Sequence, residues 1–416
     1  MIGISRLYCG TAESSDSLRY GRVSSAPAPG ASGRAPDMPA PTVPARKPVV
    51  VWNSTRRCNL ACVHCYARAT SAAEPGEMTT EDARALIEDL ARFNVPVILF
   101  SGGEPLLRPD LFGLAAYAVK LGLRAVVSTN GTLIDRAAAE RLRDCSVSYV
   151  GVSIDGLERT NDSFRGSRGA FAAAMSGVRN CLASGVKVGL RFTMTRANVH
   201  DIPGVFDLVR SEGIPRACFY HLVYAGRGAS IASYDLDHAA ARRAIDLIID
   251  RTAALHAAGA KTEVLTVDNH ADGPYLYLRM LREKSPTAAG VLELLRSQGG
   301  GSSGAGIGCV SWDGTVHPDQ FWRHATLGNV RHRPFSEIWS DAREPLLARL
   351  RQRPPHLAGR CARCRFLEIC GGGSRVRAEA ATGDPWASDP ACYLTDAEIG
   401  LDRAPHDGPR ESVTNV

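Results

Sequence analysis

Two features that mark membrane and secreted proteins are missing from this sequence of 416 residues. No stretch approaches 18 unbroken apolar residues, so neither a membrane-spanning helix nor a membrane partner is predicted. Residues 1–20 lack the apolar core of a signal peptide. The 12 cysteines are therefore better explained as metal ligands and buried thiols than as a secreted disulfide framework, and a soluble, cytoplasmic protein is predicted.

Lysine is absent from residues 323–377, although this stretch carries twelve arginines and only four acids, for a local net charge of +8. The whole chain carries +6, so the remainder is slightly acidic. Arginine side chains can bind carboxylate or phosphate groups through two parallel hydrogen bonds, so this stretch could recognise an anionic ligand. The alternative is that it forms a solvent-exposed basic surface. Aromatic residues are not interleaved with these arginines as a base-stacking platform requires, so nucleic acid is not expected as a partner.

Large apolar side chains are scarce near both ends of the chain. Residues 24–47 are rich in Ala, Pro, Ser and Gly, and residues 1–47 are predicted to be a disordered lead-in. The polar residues 401–416 are predicted to be a disordered tail. Ordered structure is expected to begin at Pro48, and the remaining length suits a barrel plus an accessory module.

Between these ends, apolar strand patterns alternate with amphipathic helix patterns. The alternation predicts a parallel α/β sheet, and six strands before residue 236 match a partial (β/α)6 barrel. Ligands in such a fold bind at the carboxyl ends of the strands. The predicted strands are Val49–Trp52, Val95–Phe100, Leu123–Ser128, Val147–Ile154, Lys187–Thr195 and Arg216–Leu222. A glycine-serine stretch at residues 299–308 is predicted to be a hinge or close-approach loop.

Three cysteines, Cys58, Cys62 and Cys65, stand directly after the first predicted strand. A C-x3-C-x2-C loop can place three thiolates on three corners of a [4Fe-4S] cube and leave the fourth iron open. The spacing is not that of a four-cysteine zinc site or of a ferredoxin, because no fourth cysteine lies close by. Zinc bound with the help of His64, or a chance grouping of thiols, is the alternative.

This loop resembles the signature of the radical S-adenosylmethionine (SAM) enzymes. The resemblance implies that the amino and carboxylate groups of SAM chelate the open iron. Electron transfer from the cluster would then cleave SAM to methionine and a 5'-deoxyadenosyl radical. Cys58, Cys62 and Cys65 would be both metal ligands and catalytic residues.

Motifs at the ends of the following strands resemble the SAM site of the same superfamily. The second strand ends in residues 101–105 (SGGEP), where glycines allow close approach and the acid can hold the SAM ammonium group. Polar residues at the next three strand ends would form hydrogen bonds with the ribose hydroxyls and the methionine carboxylate of SAM. Each motif could also be an ordinary turn. The implied cofactor-binding residues are Gly102, Gly103, Glu104, Asn130, Ser153 and Arg191.

A second set of cysteines forms a C-x2-C-x5-C pattern with one more cysteine 22 positions later. Four thiolates without a suitably spaced histidine indicate zinc or an iron-sulfur cluster. The arrangement resembles the SPASM auxiliary-cluster domain, which implies a second [4Fe-4S] cluster. The implied ligands are Cys361, Cys364, Cys370 and Cys392, with Cys309 as a possible replacement for Cys392. The other auxiliary cluster of that family is expected to be lost, because Asp319 and Ser374 stand where cysteines belong.

Four further segments resemble the radical SAM proteins of heme d1 biosynthesis, which are related to siroheme-pathway heme synthases. These segments are residues 221–228 (HLVYAGRG), 266–275 (TVDNHADGPY), 308–314 (GCVSWDG) and 316–324 (VHPDQFWRH). The resemblance covers about residues 48–394. It implies a barrel at 48–235, a helical bridging region at 236–308 and a SPASM-like module at 309–400.

The same resemblance implies an enzyme that acts on 12,18-didecarboxysiroheme and replaces propionate side chains on two rings. A low-potential electron donor such as flavodoxin or ferredoxin is also implied. Residues expected to face the substrate are His221, Arg227, His317, Arg323, His324 and Arg331, with His332 as a further candidate; a structural role is the alternative for each histidine. A heme synthase that decarboxylates propionates to vinyl groups, a SPASM peptide maturase and a non-catalytic tetrapyrrole carrier remain open.

Overall fold

The computed structural model describes residues 1–13, 15–21, 47–72, 74–352 and 354–402. Most of the predicted lead-in, at residues 22–46, and the tail from residue 403 lie outside the described residues. The described strands are β1 (Ile2–Gly3), β2 (Val49–Thr55), β3 (Val97–Gly102), β4 (Arg124–Thr129), β5 (Tyr149–Ser153), β6 (Val188–Met194), β7 (Arg216–His221), β8 (Glu263–Val267), β9 (Ile307–Val310), β10 (Thr315–His317) and β11 (Gly328–Asn329).

The described helices precede, connect and follow these strands. They are α1 (Ile4–Leu7), α2 (Asp16–Tyr20), α3 (Thr80–Arg92), α4 (Leu111–Lys120), α5 (Arg136–Asp144), α6 (Glu158–Arg165), α7 (Ala170–Ala183), α8 (Ile202–Ser211), α9 (His238–Ala257), α10 (Asp272–Arg282), α11 (Ala288–Gln298), α12 (Phe335–Ser340), α13 (Pro345–Leu350), α14 (Gly359–Ala362), α15 (Leu367–Cys370), α16 (Arg375–Thr382) and α17 (Asp396–Ile399). Short 3-10 helices span Pro105–Leu107, Val199–Asp201 and Gly226–Tyr234.

One sheet of 11 described strands runs through the molecule in the order β1-β8-β7-β6-β5-β4-β3-β2-β9-β10-β11. Strands β2 to β7 pair in parallel with their neighbours, which confirms the prediction of six parallel strands. Strand β8 continues this parallel order beyond β7, and β9 pairs in parallel with β2. The predicted bridging region therefore contributes β8 and the start of β9 to the same sheet as the barrel strands.

Apolar side chains on both faces of the strands explain why the sheet is covered on each side. Strand β8 is buried along its whole length, and β2 is buried at every position after its first. Helix α3 begins with a capping box, in which Thr79 Oγ1 accepts from the Asp82 N–H and the Asp82 carboxylate accepts from the Thr79 N–H. Its apolar face packs against α4 and α12.

Residues 1–13 and 15–20 include a strand and two helices, where the sequence predicted a disordered lead-in over residues 1–47. Strand β1 pairs antiparallel with β8, and the buried side chains of Ile4 and Leu7 follow it. Ser5 Oγ accepts a hydrogen bond of 2.6 Å from the Val264 N–H of β8. The edge of β8 supplies hydrogen-bonding groups that the local sequence of residues 1–7 does not reveal. Among the described residues, no helix combines the length and apolar character needed to span a bilayer.

Candidate active site and auxiliary metal centre

The three cysteines of the first motif lie in one loop that begins after β2. Cys58 and Cys62 are each 8% exposed, and Cys65 is half-buried. Within the loop, the Leu60 N–H donates to Cys58 Sγ (3.4 Å) and the Ala69 N–H donates to Cys65 Sγ (3.5 Å). Burial raises the pKa of Cys58 to about 11 and also raises the pKa of Cys62. Because thiols lose their protons when they bind iron, metal binding here releases protons.

Donor groups from two other elements point at the sulfur atoms of this loop. Asn130 follows β4, and its Nδ2 lies 3.9 Å from Cys58 Sγ. Arg165, at the end of α6, donates from Nη1 to Cys62 Sγ (3.6 Å) and pairs through Nη2 with the buried Asp155 (2.5 Å). Hydrogen bonds and positive charge near thiolate sulfurs stabilise the ligated form and tune a cluster's reduction potential.

His64 lies between two of the cysteines but is directed toward Asp155. Its Nε2 is 3.3 Å from Asp155 Oδ2, and its ring packs 5.2 Å from that of Phe164. In the described part of the chain, no group of three or more His, Cys, Asp or Glu side chains could hold a single metal ion. Because His64 faces Asp155, the loop offers three thiolates without a histidine donor, which fits an open [4Fe-4S] cluster better than zinc.

The two glycines after β3 allow close packing against the chain that leads into the cysteine loop. A Cβ on Gly102, whose φ is +124°, would lie 2.3 Å from the Thr55 carbonyl oxygen, and one on Gly103 would lie 2.2 Å from that of Arg57. The N–H groups of Gly103 and Glu104 donate to the same two carbonyls, at 2.7 and 2.8 Å. The carboxyl end of β3 is thereby fixed beside the cysteine loop.

Glu104 is fully buried and uses both carboxylate oxygens within the protein. It accepts hydrogen bonds from Thr129 Oγ1 (2.7 Å), the Asn130 N–H (2.8 Å) and the Leu106 N–H (3.1 Å). Burial raises the pKa of Glu104 to about 7. An ammonium group would have to share these bonds, so the role of Glu104 in SAM binding stays a prediction.

The two other predicted SAM residues lie side by side, Ser153 at the end of β5 and Arg191 in the middle of β6. Ser153 is the register partner of Arg191. Arg191 donates from Nε to the hydroxyl of Tyr220 (2.9 Å) and from Nη1 to Ser128 Oγ, and its guanidinium lies 5.2 Å from the centre of the Tyr220 ring. The barrel mouth therefore contains a positive charge next to several hydroxyl groups, which suits a carboxylate ligand.

The four cysteines of the second motif line one cavity of about 360 Å³ that is partly open to solvent. Burial raises the pKa values of Cys364 and Cys370, and raises that of Cys392 to about 11. Four thiols around one cavity fit a fully ligated iron-sulfur cluster. The loop at residues 299–308 does make a close approach here, because a Cβ on Gly300 would lie 1.8 Å from the Cys370 carbonyl oxygen.

Cys309 is not among the residues that line this cavity. It lies in β9, fully buried, where Asn53 Nδ2 donates to its Sγ (3.4 Å). Asp319, which stands where a cysteine of the other auxiliary cluster would belong, accepts from Ser303 Oγ and from the Trp322 N–H (2.8 Å). This placement favours Cys392 as the fourth auxiliary ligand, although the ligand assignment itself stays a prediction.

The three arginines expected to hold substrate carboxylates each have partners within the protein, and their role toward a substrate stays a prediction. Arg227 donates from Nε and Nη1 to the Cys62 and Ala69 carbonyls (2.8 and 2.9 Å). Arg323 donates from Nη1 to the Ala67 carbonyl (2.7 Å). Arg331 is exposed and pairs with Asp82 (3.0 Å). Because the irregular cysteine loop leaves carbonyl groups unpaired, arginines from elsewhere in the chain supply the missing donors.

The candidate histidines fall into three environments. Both ring nitrogens of the buried His317 have partners, at 3.0 Å from Ser311 Oγ and 2.9 Å from the Ala325 carbonyl, which indicates a structural role. His324 is exposed, with Nε2 2.8 Å from a Glu379 oxygen, and His332 is exposed. His221 is buried at the end of β7 and faces Asp272.

Sequence reasoning missed two residues that support these sites. Arg165 is 103 positions from the cysteine it contacts, and no local pattern marks it. Arg377 is fully buried and pairs with Asp389 at 2.8 Å. The arginine-rich composition of residues 323–377 was the only signal that could have found it.

Family models match two parts of the chain. The radical SAM superfamily model covers residues 52–209, and the SPASM iron-sulfur cluster-binding domain model covers residues 305–365. An Fe-coproporphyrin III synthase of Methanosarcina barkeri (strain Fusaro / DSM 804) is 59% identical over 403 residues, which cover 96% of this chain and 99% of that protein. The chain belongs to the radical SAM superfamily. Its radical SAM barrel carries a carboxyl-terminal SPASM domain, as the sequence predicted.

Other relatives also come from heme pathways. A pre-heme d1 synthase of Dinoroseobacter shibae (strain DSM 16493 / NCIMB 14021 / DFL 12) is 48% identical over 85% of this chain and 88% of that protein. An AdoMet-dependent heme synthase of M. barkeri (strain Fusaro / DSM 804) is 33% identical over 83% of this chain and 95% of that protein. This radical SAM protein is thus a heme-pathway enzyme, and the predicted cofactors, a [4Fe-4S] cluster, SAM and an auxiliary iron-sulfur cluster, are confirmed.

Solved structures show the same fold in distant relatives. Streptococcus suis SuiB bound to its precursor peptide SuiA superposes with a TM-score of 0.66 at 19% identity, over 84% of this chain and 76% of SuiB. The protein anSMEcpe with bound AdoMet superposes with a TM-score of 0.65 at 18% identity, over 86% of this chain and 96% of that chain. At these identities the likeness concerns the radical SAM fold alone.

Proposed function

We propose that this radical SAM enzyme removes carboxylate-bearing side chains from an iron tetrapyrrole and that its product is Fe-coproporphyrin III. The observation that carries the proposal is the 59% identity to an Fe-coproporphyrin III synthase over 96% of this chain. Coproporphyrin carries four methyl and four propionate groups. Its formation from 12,18-didecarboxysiroheme therefore removes two acetate side chains and keeps the propionates.

The arrangement of side chains around the cysteine loop supports a radical reaction at the mouth of the barrel. When bound, the open cluster and SAM supply a 5'-deoxyadenosyl radical that abstracts hydrogen from a side-chain carbon. Arg165 and Arg227 hold the cysteine loop from two sides, through Cys62 Sγ and through the Cys62 carbonyl. Arg191 provides a half-buried cation in the middle of β6. The proposal includes a low-potential one-electron donor of the ferredoxin or flavodoxin class and a cytoplasmic location.

The second candidate is the heme d1 branch, in which two propionates are lost instead of two acetates. The 48% identity to a pre-heme d1 synthase favours this candidate. Both candidates start from the same type of substrate and use the same radical. They differ in which side chains leave, so the masses of their products differ.

The decisive experiment is an anaerobic assay of the reconstituted protein with SAM, a reductant and 12,18-didecarboxysiroheme. We expect 5'-deoxyadenosine together with a tetrapyrrole that has lost two acetate groups, measured by mass spectrometry. Loss of two propionates would transfer the assignment to the heme d1 branch. The Cys62→Ser variant is the control, because it lacks one ligand of the radical cluster and should form neither product. Absence of 5'-deoxyadenosine with the unmodified protein would contradict the enzyme function and favour a non-catalytic carrier.

A further inference from the structure

One buried arginine, Arg165, reaches a sulfur atom of the radical-cluster loop. Its Nη1 donates to Cys62 Sγ (3.6 Å), and its side chain is 8% exposed. The guanidinium keeps its positive charge at every working pH. The other two sulfurs of the loop have neutral donors, which are the Leu60 N–H and Asn130 Nδ2 for one and the Ala69 N–H for the other. In the described part of the chain, Cys62 is therefore the one thiol of this loop that accepts from a charged donor.

The end of α6 is held on the loop by backbone hydrogen bonds on both sides of Cys62. The Ala61 N–H donates to the Arg165 carbonyl (3.2 Å), and the Val63 N–H donates to the Phe164 carbonyl (3.0 Å). These two bonds join the residues that flank the cysteine to the last two residues of the helix. The backbone of Arg165 is therefore fixed relative to the sulfur atom that its side chain contacts.

Asp155 fixes the guanidinium of Arg165 from another direction. Its carboxylate is 0% exposed, and its Oδ2 lies 2.5 Å from Arg165 Nη2. Its Oδ1 accepts a hydrogen bond from the Thr193 N–H of β6 (2.9 Å), so the carboxylate itself is anchored to the sheet. The planar guanidinium can bind a carboxylate with one nitrogen and a sulfur atom with another, which the single nitrogen of a lysine cannot do in the same geometry.

This arrangement places a positive charge next to a ligand of the radical cluster. A charged hydrogen-bond donor at a ligand sulfur stabilises negative charge on an iron-sulfur cluster and raises its reduction potential. Because Arg165 is buried, water and salt screen its charge little. The Asp155 carboxylate offsets part of that charge. It contacts the guanidinium, however, whereas the guanidinium contacts the sulfur, so the charge nearer to Cys62 is positive.

We propose that Arg165 raises the reduction potential of the radical cluster through Cys62 Sγ and that Asp155 is its positioning residue. The loaded site gains one negative charge when it accepts one electron from the low-potential donor, and Arg165 stabilises that charge. The site is then easier for the donor to reduce before SAM is cleaved. This inference goes beyond the proposed function, because it concerns the formation of the radical and is the same for either tetrapyrrole product.

The test is a redox titration of the reconstituted protein without SAM, followed by electron paramagnetic resonance. The signal of the radical cluster is the one that changes when SAM is added afterwards. In Arg165→Met we expect the ratio of reduced to oxidised radical cluster at a fixed potential to fall about tenfold or more, which is a shift of about 59 mV or more for one electron. The signal of the auxiliary cluster should keep its midpoint and serves as an internal reference.

Two further variants show whether the charge of Arg165 is the cause. Arg165→Lys keeps the charge but loses the planar group, so its shift should be smaller than that of Arg165→Met. Arg159→Met is the matched control, because it makes the same substitution at an exposed position of the same helix and should leave the midpoint unchanged. Formation of 5'-deoxyadenosine by Arg165→Met should fall with a donor of the ferredoxin class and recover with a reductant of lower potential.

Three results would overturn the proposal. The first is an unchanged midpoint in Arg165→Met together with weaker SAM binding, which would make Arg165 a SAM ligand instead. The second is an equal shift in Arg165→Lys and Arg165→Met, since charge would then not be the cause. If Arg165→Met assembles no cluster, the unmodified protein labelled with ¹⁵N-arginine gives the answer. Its reduced radical cluster should show arginine ¹⁵N coupling by electron-nuclear double resonance, and absence of this coupling is the third contrary result.

Failure of the proposed function is distinguishable from these results, because the titration contains no tetrapyrrole. A protein that shows the expected midpoints but converts no tetrapyrrole would overturn the proposed function and keep the role of Arg165.

Discussion

At the scale of single residues, the structure separates two cysteines that the sequence left as alternatives. Cys392 shares a cavity with Cys361, Cys364 and Cys370, whereas Cys309 is enclosed in β9 beside Asn53. A thiol that lines a cavity with three others can complete a cluster without any movement of the backbone. Cys309, which is held in a paired strand away from this cavity, cannot.

We therefore predict different iron contents for Cys392→Ser and Cys309→Ser after anaerobic reconstitution. Cys392→Ser should lose or distort the auxiliary cluster and fall from about eight to about four irons per chain. Cys309→Ser should keep about eight irons, because its sulfur is not a ligand. Iron and sulfide analysis, together with Mössbauer spectroscopy, measures the cluster content of both variants. Full iron content in Cys392→Ser together with loss in Cys309→Ser would reverse the assignment.

The same scale shows which residues a sequence can reveal. Cluster ligands are recognisable because several of them come from one short loop, and their spacing is fixed by the size of the cluster. The arginines could not be assigned in this way, since their partners are far away in the chain. Arg323 contacts a carbonyl 256 positions away, and Arg227 contacts one 165 positions away. Both were predicted as carboxylate binders, and the structure adds that both donate to carbonyl groups of the cysteine loop.

At the scale of elements, the segment after β7 determines how the cysteine loop is held. Gly226 has a φ of +59°, and an added Cβ would clash with the backbone of Tyr66. Gly259 offers a matched comparison, because its φ is +84° but nothing lies within 4 Å of an added Cβ. The two positions share the conformational strain and differ in crowding.

We predict that Gly226→Ala loses most of its 5'-deoxyadenosine formation, because the segment can no longer dock on the loop. Gly259→Ala should cost about 1 kcal/mol of stability and keep the activity. Cluster content and 5'-deoxyadenosine yield, measured in parallel for both variants, test this. Equal activities would show that docking of this segment is not needed.

Helices and strands were predictable where the sequence pattern that marks them lies within the element itself. The apolar strands β2 to β7 were found because burial on both faces leaves continuous apolar runs. Helix α3 was missed, although Thr79 and Asp82 form a capping box ahead of the buried Leu86 and Leu90. Strand β1 has only two residues, and it exists because the edge of β8 is there to pair with it. No pattern within residues 1–7 could have shown that partner.

At the scale of the whole molecule, the buried Arg377 connects the carboxyl-terminal module to the barrel. Arg377 donates to Asp389 and to the carbonyls of Leu222 (2.8 Å) and Asp268 (2.9 Å), which follow β7 and β8. Burial raises the pKa of Asp389, but Arg377 and the N–H groups of Ser374 and Ala391 together outweigh it, and the pKa is lowered. The stabilisation is therefore fully present at neutral pH, and it is lost only as the pH falls below the usual range of an aspartate, about 4.

We predict that Arg377→Met destabilises the protein by about 3–5 kcal/mol, because it leaves the buried Asp389 carboxylate without its partner. The module should then detach from the strand ends before the barrel unfolds. Thermal unfolding at neutral pH should show a lower midpoint, and limited proteolysis should cut within residues 354–402 first. Arg343→Met is the control, since the Arg343 side chain is 88% exposed beside Asp341 and its loss should change the midpoint little. If both variants unfold like the unmodified protein, Arg377 does not hold the module on the barrel, and other contacts such as the Arg242–Glu398 ion pair must do so.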